Sequence, residues 1–360
     1  AATASRPSRP RAASTSRACR AASARAVAWP MPWGEGDTAM AHIGFTVPLN
    51  MSGQPAATVD AGRTADGRTV GVQVAGRRFH CWSRGGHGSV GPVQSLERSC
   101  DVFYYELAQK IGIDRIAAMA RRLGIGVRPD LPMSAIAEGI TPDRAWKKAR
   151  YGQEWQVGDS INASIGQGYV LASPLQLAIM TARVATGLVV APRLVRAVDG
   201  VAEPAPDFPD LGIDPANLRI ARAGMDAVMN GDRGTAAKSR IVAPEWRMAG
   251  KTGTSQVRNI TAAERARGVI SNDQLPWIRR DHALFVCYAP VEAPRYAVAV
   301  VVEHGGGGSA VAAPIARDIL LFALAGGLPP LDAYPPGQRD AVTTFAATRR
   351  VAANAVTLGA

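Results

Sequence analysis

The chain has 360 residues, 47% of them apolar and 19% charged, and 41 Lys and Arg against 29 Asp and Glu give a net charge of +12. That length and apolar content exclude wholesale disorder and allow one large domain or two ordinary ones. The positive charge does not outline a nucleic-acid surface: Arg6, Arg9, Arg11, Arg17, Arg20 and Arg25 supply half of the excess, and the rest forms no basic stripe with interleaved aromatics.

In chain order, residues 1–30 are Ala/Arg/Ser/Pro-rich, acid-free and without apolar periodicity, so disorder is expected there. Their composition loosely resembles an organellar transit peptide, and the N-terminus has no secretory signal pattern. Residues 31–75 read as irregular, 76–327 as a folded domain, and 328–360 as a Pro-containing tail. In "SCDVFYYELAQKIGIDRIAAMARRLGIG", Phe103, Leu107, Ile111, Ile116 and Met119 fall near helical spacing, with Gly112 and Gly124 as stops. "SPLQLAIMTARVATG" predicts a helix with Ser173 as N-cap, Pro174 in the first position, Gln176 completing a capping box and Gly187 ending it. "WRMAGKTGTSQV" reads as a strand, a polar stretch covers 258–280, and "HALFVCYAP" and "RYAVAVVVEH" flank "VEAP" as an antiparallel hairpin. A helix with Leu320 and Leu321 facing the core closes the domain. Strands followed by a helix predict an α+β fold, helices on an antiparallel sheet. No run of about 18 apolar residues occurs, so no membrane-spanning helix is predicted.

Five lysines stand among the 41 basic residues, and one of them, Lys251, lies in the strand "AGKTGTSQV". Strand side chains alternate, so Lys251 and Gly253 share one face and Thr252 and Thr254 the other. A glycine gap beside hydroxyls and a cation suits an extended peptide ending in a carboxylate, added along a sheet edge. Taken alone, the tripeptide Lys-Thr-Gly reads rather as a surface strand.

Its context is more specific. "RRFHCWSRGGHG", "SCDVFYYELAQKIGIDRIA", "NASIGQGYVLASPLQLAIMTARVATG", "AGKTGTSQV" and "YAVAVVVEHGGGGSAVAAPIARDI" stand in an order that resembles the penicillin-binding protein 2 family, the class B peptidoglycan D,D-transpeptidases of the rod-shape machinery. The resemblance covers about residues 76–325. It implies the penicillin-recognising α+β fold, an antiparallel sheet with a C-terminal helix packed on it plus an all-helical subdomain. It also implies acyl transfer from a D-Ala-D-Ala stem peptide, binding of β-lactams, a membrane glycosyltransferase partner, and a periplasm-facing inner-membrane location. By the same resemblance, Lys251, Thr252, Gly253 and Thr254 are the third motif: cation and hydroxyls hold the substrate carboxylate, and the Thr254 N–H supplies half an oxyanion hole. Ser99-Cys100-Asp101 is the second motif, Ser99 relaying protons and Asp101 orienting it. Ser160-Ile161-Asn162 spells a similar triplet and is read as a decoy.

The first motif is not found. The chemistry needs a serine three residues before a lysine on a helix. Three residues before Lys110, Lys147, Lys148, Lys238 and Lys251 stand Leu107, Arg144, Ala145, Thr235 and Met248. Thr235-Ala-Ala-Lys238 is the nearest mimic, and it follows the second motif, where the family's nucleophile does not sit. Residues 1 to about 70 therefore read as GC-rich DNA translated out of frame, in place of the nucleophile helix and of the membrane helix and pedestal domain that the family implies. As written the chain is expected not to form an acyl-enzyme, since losing a serine nucleophile costs about a million-fold in turnover. The rival reading is a non-enzymatic relative that binds peptidoglycan or elongation-complex partners. A β-lactamase or carboxypeptidase shares the Lys-Thr-Gly motif, but "ASIGQGYVLASPLQLA" resembles the class B transpeptidases.

The spacing of Cys81, His87 and Cys100 fits no standard zinc finger, and a Cys81–Cys100 disulfide is an equal reading of the residues. The resemblance adds that some family members carry a structural zinc near the second motif, with ligands that fall on Cys81, His87, Cys100 and, less closely, Asp66. Catalysis in the family requires no cofactor. His282 and His304 read as structural, Cys287 as a buried apolar thiol, and Cys19 receives no role.

Overall fold

Gly71–Val74 (β1) and Arg77–His80 (β2) pair as an antiparallel hairpin. The computed structural model describes residues 71–347 apart from 75, 76, 84, 259, 261–263, 265 and 266. The expectations for residues 1–70, including Cys19 and Asp66, lie outside the described residues. β1 begins inside the stretch read as irregular: four residues, the first of them a glycine, carry too little periodicity to announce a strand.

Helices follow. Pro92–Glu97 (α1) starts on a proline, whose missing N–H costs nothing in the first turn. Asp101–Ile111 (α2) and Ile113–Arg122 (α3) are separated at Gly112, whose φ of 82° a side chain would oppose. Arg144–Tyr151 (α4) is capped by the Asp143 carboxylate, which accepts from the Trp146 N–H at 2.7 Å. Val157–Ser164 (α5) has a capping box between Gln156 and Asp159. Pro174–Thr186 (α6) has the predicted box: Ser173 Oγ accepts from the Gln176 N–H, Gln176 Oε1 accepts from the Ser173 N–H, and Gly187 ends the helix in the left-handed region. Ala197–Val198 (β3) and Val201–Ala202 (β4) make a small exposed hairpin, and Pro215–Asn230 (α7) leads back into the core.

The main sheet is Ala249–Ser255 (β5), His282–Ala289 (β6) and Tyr296–Val302 (β7), antiparallel in the order β5-β6-β7. β6 is buried along its whole length, and its alternation sorts two cores. Leu284, Val286 and Tyr288 face a cluster built by α2, α6 and α7, with Phe103, Tyr104, Leu177, Met180 and Met225. Ala283, Phe285, Cys287 and Ala289 face the other cluster, with Ala316, Leu320 and Leu321 of Ala313–Ala325 (α8). The predicted hairpin, closing helix and buried Cys287 are thus in place, and burial pushes the Cys287 thiol up.

Two expectations change. Residues 308–325 form a helical stretch with mean hydropathy of 1.5, long and apolar enough to cross a membrane by composition. An alanine- and leucine-rich helix passes that test without an unbroken apolar run, and here it lies on the sheet with Ala312, Ala313, Ala316, Leu320 and Leu321 fully buried. The segment after residue 327 is not simply a tail. Pro330 and Pro335 each precede a single 3-10 turn, Ala333 and Tyr334 are buried, the Ala333 carbonyl accepts from the Val242 N–H at 2.9 Å, and residues 339–347 are helical.

Candidate active site

The centre of the site is a short link between two distant segments. Lys251 lies on β5 and is 4% exposed. Its ammonium donates to Ser99 Oγ at 2.9 Å and to the Thr252 carbonyl at 3.0 Å. Thr252 Oγ1 in turn lies 3.2 Å from Thr235 Oγ1. Ser99 reaches the lysine because the chain reverses between α1 and α2. Its φ is +52°, in the left-handed region that a non-glycine residue occupies at a cost of about 1–3 kcal/mol. Backbone bonds from the N–H groups of Ser99 to Leu96 O and of Cys100 to Ser95 O close the turn.

The turn is also held from outside. The Trp82 indole N–H donates to the Ser99 carbonyl at 2.9 Å and to the Arg98 carbonyl at 3.2 Å, and the Trp82 backbone N–H donates to Asp101 Oδ2 at 2.9 Å. The Asp101 bond therefore goes to Trp82 rather than to Ser99, and any orienting effect of Asp101 on Ser99 runs through the tryptophan. Burial pushes the Asp101 carboxyl up to about 6, against the pull of the Trp82 N–H and of Lys251. Burial brings Lys251 down to about 8, with Asp101 opposing.

Gly253 lies on the same strand face as Lys251, and its close neighbour is the chain's own backbone. A Cβ on Gly308 would lie 2.4 Å from Gly253 O and 2.2 Å from Leu284 O. It is the missing side chain of Gly308 that lets the start of the closing helix lie against the Gly253 backbone. Thr254 is exposed and belongs to the edge strand of the sheet. Ser160 is buried on α5 and its hydroxyl accepts from the Trp155 indole at 2.8 Å.

Cys81, His87 and Cys100 converge: one thiol, imidazole or thiolate donor atom from each lies within 4.8 Å of the others, and Cys81 Sγ is 3.3 Å from His87 Nδ1. The two cysteines are free and buried, not bridged. Cys100 caps the N-terminus of α2, and the Cys81 thiol together with the N–H groups of Phe103 and Val102 lowers its pKa, while Cys81 is raised by the same pairing and by burial. Two sulfurs and an imidazole at this spacing fit a tetrahedral zinc with one further ligand. His282 and His304 stack at 4.6 Å, His282 Nδ1 accepting from the His304 N–H at 2.9 Å, in a structural contact at the end of the hairpin.

Trp82 and Thr235 were not singled out as site residues from the sequence. Trp82 stands next to Cys81 without a spacing of its own, and Thr235 drew notice only as a mimic of a nucleophile.

Layers, strand order and the paired motifs define a penicillin-recognising α+β domain. The description "Penicillin binding protein transpeptidase domain" matches residues 58–321, and the chain belongs to that family. The match begins upstream of the expected onset near residue 76. The chain is 36% identical over 264 residues to the peptidoglycan D,D-transpeptidase MrdA of Haemophilus influenzae, covering 72% of this chain and 40% of that protein. Among solved structures it is similar to Pseudomonas aeruginosa PBP2 in complex with WCK 5153, with a TM-score of 0.65, 35% identity, and coverage of 82% of this chain and 62% of that one. It is also similar to PBP2 in its complex with MreC from Helicobacter pylori, with a TM-score of 0.64, 28% identity, and coverage of 80% and 50%. The chain spans about 40% of the length of the curated relative.

Proposed function

We propose that this chain is the transpeptidase part of a class B peptidoglycan D,D-transpeptidase of cell-wall elongation, facing the periplasm from the inner membrane. Its groove binds the carboxylate end of a D-Ala-D-Ala stem peptide or a β-lactam. The observation that carries the reading is the 2.9 Å link from Lys251 to Ser99, which joins the second and third motifs across 152 residues of sequence. In this reading the Lys251 ammonium and the Thr252 and Thr254 hydroxyls hold the carboxylate, Ser99 relays protons, Asp101 steadies Trp82 and through it Ser99, and the Thr254 N–H faces the developing oxyanion. The acyl transfer needs no cofactor. A structural zinc on Cys81, His87 and Cys100, with Asp66 as the candidate fourth ligand, would hold β2 and its following loop against the turn that carries Ser99. The family's membrane glycosyltransferase is the proposed partner.

The chain as written is proposed to bind without acylating, because no serine stands three residues before a lysine. That same absence favours a second reading, a natural non-enzymatic peptidoglycan-binding relative. Incubation of the full chain with a fluorescent penicillin should leave no covalent label after denaturation, whereas a reversible D-Ala-D-Ala peptide should bind and lose its affinity in Lys251→Ala. Covalent labelling would end the inactivity claim, and peptide binding indifferent to Lys251 would end the groove assignment. Sequencing the coding DNA upstream of the Arg78 codon separates the two readings: another frame with a Ser-x-x-Lys helix restores the enzyme, and a confirmed frame leaves the binding protein.

A further inference from the structure

β5 is an edge strand, so one side of its backbone is not paired within the sheet. Peptide groups at every second residue of a strand point to the same side. On β5 the Thr252 carbonyl accepts from Lys251 Nζ at 3.0 Å and the Thr254 carbonyl accepts from Gln167 Nε2 at 2.9 Å, so this alternate set faces away from β6. The next group of the set, the Gln256 N–H, donates to Gln167 Oε1 at 3.4 Å. One side-chain amide thus takes both an acceptor and a donor, two residues apart, on the free edge. In an added antiparallel strand, the N–H of one residue and the C=O of the residue two before it would take that same pair.

The loop that presents Gln167 is built for this reach. Gly166 and Gly168 both have a φ of 75°, which L side chains oppose, so the chain bends sharply on either side of the glutamine. The Gln167 N–H donates to Asn162 O at 2.9 Å and the Gly166 N–H to Ala163 O at 3.0 Å, tying the loop to the end of α5. A Cβ on Gly168 would meet the Asn162 Cβ at 3.3 Å, so the bend is also closely packed.

We propose that Gln167 is a specificity-determining residue that occupies two successive backbone bonding positions on the β5 edge, and that an incoming stem peptide displaces it from Thr254 and Gln256. The inference rests on the groove reading above and adds a selection rule to it. A ligand long enough to supply the N–H of one residue and the C=O of the residue two before it replaces the two bonds that it breaks. A ligand too short to reach Gln256 breaks two and replaces one.

The test compares two probes, N-acetyl-D-Ala and diacetyl-L-Lys-D-Ala-D-Ala, titrated into the full chain by NMR. Wild type, Gln167→Ala, Gln167→Met and Lys251→Ala are used. Gln167→Met keeps the side chain's length and bulk without its amide, and melting temperatures identify any variant that has lost its fold. Removing the amide should tighten the short probe about tenfold, the worth of one net hydrogen bond, and the long probe by less. Equal affinities for wild type and both folded Gln167 variants, with binding that still depends on Lys251, overturn the role of Gln167 alone. Weaker binding of both probes to the variants also overturns it, since Gln167 would then be a contact and not a competitor. If neither probe binds wild type, or Lys251→Ala binds as wild type does, the groove reading fails and the selection rule fails with it.

Discussion

Lys251 carries the clearest titration at the residue scale. Burial holds its amine at about 8, with Asp101 opposing, and in the proposed groove only its cation would hold a carboxylate. The dissociation constant of a D-Ala-D-Ala peptide should therefore be level below pH 8 and rise about tenfold per pH unit above it. Calorimetric titrations from pH 7 to 9.5 check this, and a flat profile would contradict it. Folding stability moves the other way. The unfolded lysine keeps its proton to its ordinary 10.5, so the penalty of a buried ammonium is fully felt below about 8 and is relieved as the pH climbs from 8 toward 10.5. The motif residues Ser99 and Lys251 were legible through their family resemblance, although nothing local in the sequence says that they touch. Trp82 and Thr235 were not legible, because each meets its partner across 17 residues, with neither periodicity nor a shared element to mark the contact.

At the scale of the element, α6 gives a graded test. Ser173→Ala removes one cap and should cost about 1 kcal/mol. Gln176 closes the same box, and its Nε2 also donates to Val127 O at 2.9 Å and Glu138 O at 2.7 Å from a fully buried position. Gln176→Ala should therefore cost about 2 kcal/mol, since it also removes the part-buried bonds to the Val127 and Glu138 carbonyls. Urea denaturation of the two variants should rank them in this order, and equal midpoints would show that the loop carbonyls find other partners. Gly308→Ala places a Cβ 2.2 Å from Leu284 O and 2.4 Å from Gly253 O. It should lose about 1–3 kcal/mol and, by moving β5, weaken peptide binding as well. The caps of α6 and the β6-β7 hairpin were readable because their signals lie within a few residues of each other. β1 and the docked segment around Tyr334 were not, since each is short and acquires its structure only from what it packs against.

Over the whole molecule, the Cys81, His87 and Cys100 cluster joins the loop after β2 to the α1–α2 turn, two segments also linked through Trp82 and by Arg98 donating to the His87 carbonyl. Native mass spectrometry should find one zinc per chain. Chelation, or Cys81→Ser with Cys100→Ser, should remove it and lower the melting temperature, because the metal binds only the folded arrangement. Metal-free protein with an unchanged melting temperature would dismiss the site.

Burial of β6 on both faces has a consequence in time as well as in energy. Its neighbours on either side, α8 and the α2/α6/α7 layer, must both part before its central peptide groups meet water. In deuterium oxide the amides of Leu284–Cys287 should exchange only when the entire domain opens, while those on the outer side of β5 exchange through small local excursions. The strand that carries the proposed peptide-binding residues would thus be among the first to breathe, and the strand beside it among the last.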